Sequence, residues 1–341
     1  MHPVDQAVQS VNRNVYVLRE DGNLVTQTSA KKVIASILKF SDILPGQRVL
    51  EIGTGSGYST ALLAHLVGPS GKVISIDIDP ELTQRASRLF RDQELSQISA
   101  ITKDGREGFP EASPFDRIIA WATAEYIPKA WGDQLGEDGL IIAPVQLLPL
   151  ADTTAVVRLR KKNGSLTGEK IRSGSFIKLT DTPVYDFFGA EADADIAEKA
   201  DGDVIAWASA EWMKTAEKNE KEQWLSLFKQ AKKICSFLDP EENFNDFKAF
   251  LIAANPPGLT TGERNDVKGR RLIGFSDPKG LALLSVGGDA LETGSSDASQ
   301  TLSRWTADWR SKGKPGYESL QPIIREVESH WVIHATLTDL T

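Results

Sequence analysis

The 341 residues are 40% hydrophobic and 25% charged, enough for a full buried core and, by length, about two domains. A net charge of −8 argues against a general phosphate-backbone binder, and the longest apolar stretch, Leu140 to Ala151, is broken by Pro144, Gln146 and Pro149 and too short for a bilayer. The lone Cys235 allows no internal disulfide, no charged-then-apolar leader opens the chain, and His2, His65, His330 and His334 lack paired ligand spacing with Cys235, so a reducing cytoplasm and no metal are expected.

In chain order, the first element is a helix beginning near Lys31, which Thr26, Thr28 or Ser29 could cap. Next, Val49-Leu50-Glu51-Ile52-Gly53-Thr54-Gly55-Ser56-Gly57 carries an apolar strand and a carboxylate into three alternating glycines and a helical pattern. Glycines let the backbone turn sharply and approach a ligand, and the free N–H groups of the following helix can meet its polar edge. A nicotinamide cofactor would call for G-x-G-x-x-G; Tyr58 stands at the third glycine, which points to a nucleoside without a pyrophosphate. The helix Tyr58 to Val67 and the turn Gly68-Pro69-Ser70-Gly71 lead to a strand, Lys72 to Ile76, that ends at Asp77, placed to accept from ribose hydroxyls. A third strand, Ile98 to Thr102, precedes Asp104-Gly105, where an acid could accept from an adenine amino group or simply form a turn. Strands at Asp116 to Trp121 and Leu140 to Pro144 follow. Most are continuous apolar runs, as in a parallel sheet covered on both faces.

This series resembles class I methyltransferases that use S-adenosylmethionine, and within them it is similar to the protein-L-isoaspartate O-methyltransferase family. Three local matches carry the narrower likeness: Asp104-Gly105-Arg106-Glu107-Gly108 for D-G-x-x-G; Ile127-Pro128-Lys129-Ala130 with Gln134-Leu135 for I-P-x-x-L…Q-L; and Gln27-Thr28-Ser29-Ala30 before Val33-Ile34-Ala35, where the family carries T-I-S-x-P. The likeness covers roughly residues 10 to 182 and closes at Phe176 to Asp181, which looks like the family's final strand. Lys31 stands where the family has proline, and Gln27 where it has the first threonine. The resemblance implies that Glu51, Gly53, Gly55, Ser56 and Gly57 line the methionine and ribose side of S-adenosylmethionine, with Gln27, Thr28, Ser29 and Thr54 also in the cofactor set. It also implies that Asp77 holds the ribose, Asp104 and Gly105 the adenine, and Ser29 faces the methyl group as the catalytic residue. Thr180 joins the cofactor set on the Leu-Thr-Asp match. The N-P-P-aromatic turn of amide and amine methylation is missing after the fourth strand, where Ala122-Thr123-Ala124 stands; Asn255-Pro256-Pro257-Gly258 reads as a loop.

Beyond Asp181 the stretch Glu191 to Asp203 is acidic and reads as a linker or solvated helix, and Lys161-Lys162 and Arg270-Arg271 read as solvated loops. Trp224, Leu227, Phe228, Ala231, Ile234 and Leu238 recur at helical spacing, and Phe244, Phe247, Phe250 and Leu251 continue in a second helix. Strands Leu272 to Phe275 and Leu281 to Val286 flank a turn at Ser276 to Gly280; a helix with Leu302, Trp305 and Trp309 and a last strand near His330 to Thr336 complete the chain. The expected fold class is therefore α/β, a Rossmann-like doubly wound sheet over residues 1–182, with a smaller α+β domain over residues 183–341. The order Asp246 to Leu251, Ile273 to Asp277, then Trp309 with Gly313-Lys314-Pro315-Gly316 looks like the extension of isoaspartyl-methyltransferase homologues that accompany ribosomally made, modified peptides such as lanthipeptides and graspetides. By that likeness the accessory domain recognises a peptide.

A carboxylate, with a pKa near about 4, is already a nucleophile at neutral pH, so accepting a methyl group from a sulfonium needs alignment and dryness and no general base. The expected activity is carboxyl O-methylation of an aspartate in a constrained peptide, leading through the ester to succinimide and isoaspartate. Repair of isoaspartyl proteins is the alternative. A non-catalytic module that keeps the cofactor fold for binding alone is a third. The sequence leaves the oligomeric state open.

Overall fold

The computed structural model describes residues 1–25, 28–184, 190–200, 202–294 and 296–338. Two short N-terminal helices, α1 (Pro3–Ser10) and α2 (Arg13–Val17), have no counterpart in the sequence-based reading. They place Val4, Ala7, Tyr16 and Val17 against α3 (Lys31–Phe40) and the helix that follows the glycine run. That run joins β1 (Arg48–Ile52) to α4 (Tyr58–Val67), whose residues are all buried except His65. An all-apolar helix of this kind lies within a core and not on a surface. After β2 (Lys72–Asp77), helix α5 (Pro80–Asp92) starts where Asp79 accepts from the backbone N–H of Glu81 and Pro80 presets the first turn.

Strands β3 (Ile98–Thr102), β4 (Phe115–Ala120) and, past the two-residue β5 (Ile127–Pro128) and α6 (Lys129–Gln134), β6 (Leu135–Gln146) complete the parallel part of the sheet. Strands β7 (Thr154–Lys162) and β8 (Ser165–Ser173) then add as antiparallel neighbours, giving the order β3-β2-β1-β4-β6-β7-β8. The Rossmann-like expectation holds, with a mixed sheet in place of a wholly parallel one. The closing segment at Phe176 forms no strand: Thr123 donates to the Ile177 carbonyl and accepts from the Leu179 N–H, a single parallel bridge beyond β4.

The rest of the chain builds a second, antiparallel sheet from β9 (Ile196–Ala200), β10 (Asp203–Ala210), β11 (Lys232–Ile234), β12 (Leu259–Arg264), β13 (Arg271–Asp277), β14 (Gly280–Ser285) and β15 (Ala290–Thr293), in the order β11-β15-β14-β13-β12-β10-β9. Both faces are covered. Leu281 and Leu283 point toward α8 (Lys218–Gln230), which follows the short α7 (Glu211–Thr215), and its buried Trp224 and Phe228, while Ala282 and Leu284 meet α9 (Phe244–Ala254) and α10 (Ser296–Ser311). A last hairpin, β16 (Leu320–Val327) and β17 (His330–Leu337), pairs with β5.

Three sequence expectations are corrected here. The acidic stretch is not one linker or solvated helix: Ala190–Asp193 forms a 3-10 turn, Asp195 accepts from the Ser209 hydroxyl and the Ala210 N–H, and Glu198 lies on the edge strand β9 opposite Ala206, where a charge discourages further pairing. The helical stripe from Trp224 ends at Gln230, because Ala231 turns to extended backbone and Ile234 pairs with Ala290. The two basic clusters are tied down as well, with the Lys161 ammonium donating to the Gly132 and Leu135 carbonyls and Arg271 pairing with Asp152.

One apolar core runs through both parts of the chain, from Leu50, Ile118 and Trp131 to Phe247, Leu302 and Ile333. The loop after β6 is the joint: Thr261 donates to the Ala151 carbonyl at 2.7 Å, the Ala151 N–H donates to Ser209 at 3.2 Å, and Asp152 pairs with Lys248 at 2.6 Å and with Arg271. The Asp152 side chain is 5% exposed and its backbone φ is +57°, a conformation asparagine shares. Removing one partner of a buried ion pair strands the other charge, so Asp152→Ala should lower unfolding stability by about 3 kcal/mol in a denaturant titration. The Asp152→Ala/Lys248→Met double variant should recover part of it; equal losses in both would show that the pair is uncoupled.

Candidate functional site

The carboxyl ends of β1, β2 and β3 lie side by side, since Ile52 pairs with Ile76 and Asp77 with Thr102. In a doubly wound sheet this end, at the strand from which the order reverses, is where ligands bind. Here β1 is that strand, flanked by β2 and β4.

The loop after β1 is fixed by main-chain bonds. Gly53 and Thr54 donate to the Ile76 carbonyl at 2.7 and 3.2 Å, and Gly57 closes a turn on Thr54 at 2.8 Å. Gly53, Gly55 and Gly57 have φ of +96°, +50° and +83°, so glycine is required by conformation. A Cβ at Gly55 would meet nothing within 4 Å, which leaves the loop's outer side open to a ligand. Asp77 reaches across: one carboxylate oxygen accepts from the Gly55 N–H at 2.8 Å and the other from the Asp79 N–H at 3.1 Å. Burial raises its pKa, and these N–H groups oppose that shift.

Asp104 caps a short turn by accepting from the Arg106 N–H at 2.9 Å, and the Arg106 guanidinium grips its carboxylate from Nε and Nη2. Burial pushes the Asp104 carboxyl up, yet Arg106 outweighs this and holds it below the usual range. Arg106 also faces Asp181 at 3.7 Å. Gly105 lies so close to β1 that a Cβ would come within 2.4 Å of Ile52, and Leu179 lies on its other side. The segment beyond β4 thus reaches the same place as the Asp104 turn.

Several expected residues sit differently from their sequence reading. Glu51 does not line an open surface; its carboxylate is fully buried and accepts from Ser59 at 2.6 Å, Thr60 at 2.5 Å, Ser75 at 2.7 Å and the Trp121 indole at 2.8 Å. It therefore shapes the loop from beneath. Thr54 also turns inward, 2.7 Å from the Ser75 hydroxyl, and Ser56 is buried with its hydroxyl 3.4 Å from the Tyr58 N–H. Thr180 spends its hydroxyl on the Thr182 carbonyl. Thr28 donates to the Val25 carbonyl at 2.7 Å, and Gln27 lies outside the described residues. Helix α3 is capped by Ala30 with no side-chain bond, so capping does not account for Thr28 or Ser29. Ser29 accepts at its carbonyl from Arg13 at 3.4 Å.

Sequence reasoning missed the residues that brace the Asp104 turn. The Trp131 indole donates to the Gly105 carbonyl at 2.8 Å, and Gln134 donates to the Glu107 carbonyl while accepting from the Phe109 N–H. Their signal was present in Ile127 to Leu135, read only as a family likeness. Among the described residues no three His, Cys, Asp or Glu side chains gather as a metal site, and no helix is long and apolar enough to cross a membrane.

An alternating-glycine loop, an acid after β2 and an acidic turn after β3 on this sheet define a Rossmann-like methyltransferase. The chain belongs to the protein-L-isoaspartate(D-aspartate) O-methyltransferase family, whose model matches residues 2–183. Its curated relatives include the protein-L-isoaspartate O-methyltransferases of Methanococcus maripaludis strain C6, 35% identical over 44% of this chain and 69% of that one, and of Ignicoccus hospitalis, 38% identical over 36% and 57%. A solved protein-L-isoaspartate O-methyltransferase superposes on 99% of this chain and 95% of its own with a TM-score of 0.52 at 18% identity. A Plasmodium falciparum protein of the same description, solved with S-adenosyl-L-homocysteine, covers 53% of this chain and 92% of that one, with a TM-score of 0.47 and 23% identity. Membership of this family makes S-adenosylmethionine the cofactor.

Glu51 yields a test of this architecture. Burial raises its pKa against the pull of its four donors, so the folded state binds the proton more tightly than the unfolded one and loses stability as pH rises above about 4.5. In Glu51→Gln the amide oxygen can keep Trp121, and the Thr60 and Ser75 hydroxyls can reverse to accept, so this variant should fold and lose that pH dependence. Glu51→Ala should cost about 3 kcal/mol in a denaturant titration, because buried donors lose their acceptor. Parallel stability–pH curves for wild type and Glu51→Gln would contradict the assignment.

Proposed function

We propose that this protein is a carboxyl O-methyltransferase of peptides, with an isoaspartyl carboxylate as the acceptor that its family membership favours. The observation that carries this reading is the convergence of Gly53–Gly57, Asp77 and Asp104 at the end of β1, beside the open outer face of Gly55. When bound, S-adenosylmethionine supplies an electrophilic methyl group on a sulfonium. In this reading Asp77 takes the ribose hydroxyls, Asp104 and Gly105 the adenine, and the main chain of Gly53 to Gly57 the amino-acid end. Arg106 would share Asp104 with the adenine or swing aside.

No base is needed. The acceptor carboxylate is ionised at neutral pH, and what it requires is alignment with the methyl group and loss of water. Ser29, whose side chain is not spent on capping α3, orients it by donating a hydrogen bond. Thr28 and Thr180 are further candidates for the cofactor side in this reading.

A second reading is methylation of a normal aspartate in a constrained peptide, followed by methanol loss to a succinimide. It is supported by Lys31 in place of the family's proline at the acceptor edge and by a covered second sheet sharing the core with the catalytic part. In this reading residues 183–341 form a peptide-recognition domain. A macrocycle pre-orders its aspartate, which lowers the entropy lost on binding.

One experiment separates the readings: incubate enzyme and cofactor with a generic isoaspartyl peptide, a cyclised aspartyl peptide and its linear form, and follow masses. Preference for the isoaspartyl peptide is expected for repair; methylation and then methanol loss confined to the cyclic peptide would establish tailoring instead. Methylation of none would leave only a binding module. With whichever peptide reacts, Ser29→Ala should lower turnover more than about tenfold, or roughly 1.4 kcal/mol, at unchanged cofactor affinity. Equal turnover would remove Ser29 from the chemistry.

A further inference from the structure

The last hairpin reaches the turn that carries Asp104 through a short series of contacts. Strand β5 has two residues, and its ladder partner is β17, with His330 opposite Pro128 and Trp331 opposite Ile127. The Lys129 N–H donates to the Ser329 carbonyl at 3.2 Å. The Trp331 ring lies so tightly on Gly132 that a Cβ there would come within 2.4 Å, and the Lys129 ammonium sits over the same ring, 5.5 Å from its centroid. Beside it the His330 ring packs against Tyr126, the two rings tilted by 36° with centroids 4.2 Å apart. Helix α6 follows β5, and from it Trp131 holds the Gly105 carbonyl while Gln134 holds both Glu107 and Phe109.

We infer that the C-terminal hairpin is a positioning element of the cofactor site, with Trp331 setting the place of α6 and thereby of the Asp104-Gly105 turn. Residues 330–331 lie far beyond the family's matched region, yet α6 is clamped between them and the turn. Without Trp331, the Gly132 face loses its packing and β5 keeps only its main-chain bonds. Trp131 then no longer holds Gly105 against Ile52, and the adenine side of the site loosens. The inference rests on the proposed placement of adenine at Asp104 and Gly105.

The test is titration of the full chain with S-adenosylhomocysteine. Trp331→Ala should weaken binding about tenfold, Trp331→Phe should restore most of it, and turnover at saturating cofactor should stay within about twofold of wild type, a split that general destabilisation would not give. Coupling is reciprocal, so S-adenosylhomocysteine should slow amide hydrogen exchange at residues 127–131 and 330–332 in the unaltered protein. Unchanged affinity in folded Trp331→Ala overturns the inference. Should that variant fail to fold, exchange in the unaltered protein decides alone, and unprotected amides overturn it. Asp104→Ala is the separate control: wild-type affinity there would remove adenine from this turn, a failure of the site assignment and not of the hairpin's role.

Discussion

A buried carboxylate with four donors holds the methyltransferase half together. Glu51 stands on β1 and gathers Ser59 and Thr60 from α4, Ser75 from β2 and Trp121 from the end of β4. Three strands and a helix thereby meet at one side chain. Burying a carboxyl group without such partners costs several kcal/mol, so each donor is needed by the others. The glycine loop lies directly above this cluster, and Thr54 ties into it through Ser75. Its left-handed glycines thus sit on a base tied together from β1, β2, β4 and α4.

The second constraint is the joint between the two sheets. A loop that would otherwise cross the surface after β6 is instead buried, and its polar groups are answered from β10, β12, β13 and α9. Asp152 is where the two parts share charge, while Leu147 and Leu148 share their apolar core. The accessory sheet is fastened by specific polar contacts, as interfaces that fix a single orientation are.

Much of this was legible in the sequence, and the failures have physical causes. Helix α4 and strand β3 keep the residues predicted, because a strong apolar run ends at glycine or a polar turn in each case. The turn between β13 and β14 was readable from Asp277-Pro278-Lys279-Gly280. Ile234 was misread because its helical spacing gave way to pairing with Ala290, a contact made far away in sequence. The acidic stretch was misread for a related reason, since Asp195 meets Ser209 and Glu198 lies opposite Ala206 through contacts that local charge does not reveal. Asp77 ends β2 and Asp104 follows β3 as the strand pattern predicts, whereas the inward turn of Glu51 was hidden. An acid at the end of an apolar strand has the same letter whether it meets a ligand or four hydroxyl and indole donors.

The pairing of β5 with β17 joins residues about 200 positions apart. A ribosome adding roughly 5–20 residues per second needs about 10–40 s to cover that distance. Until residue 331 is added, β5 has no strand partner and the Gly132 face lacks the ring that covers it. A contact of this span forms late, because both partners must exist before loop closure is rewarded. The Gly132 face is thus among the slower parts of the methyltransferase half to be covered during synthesis.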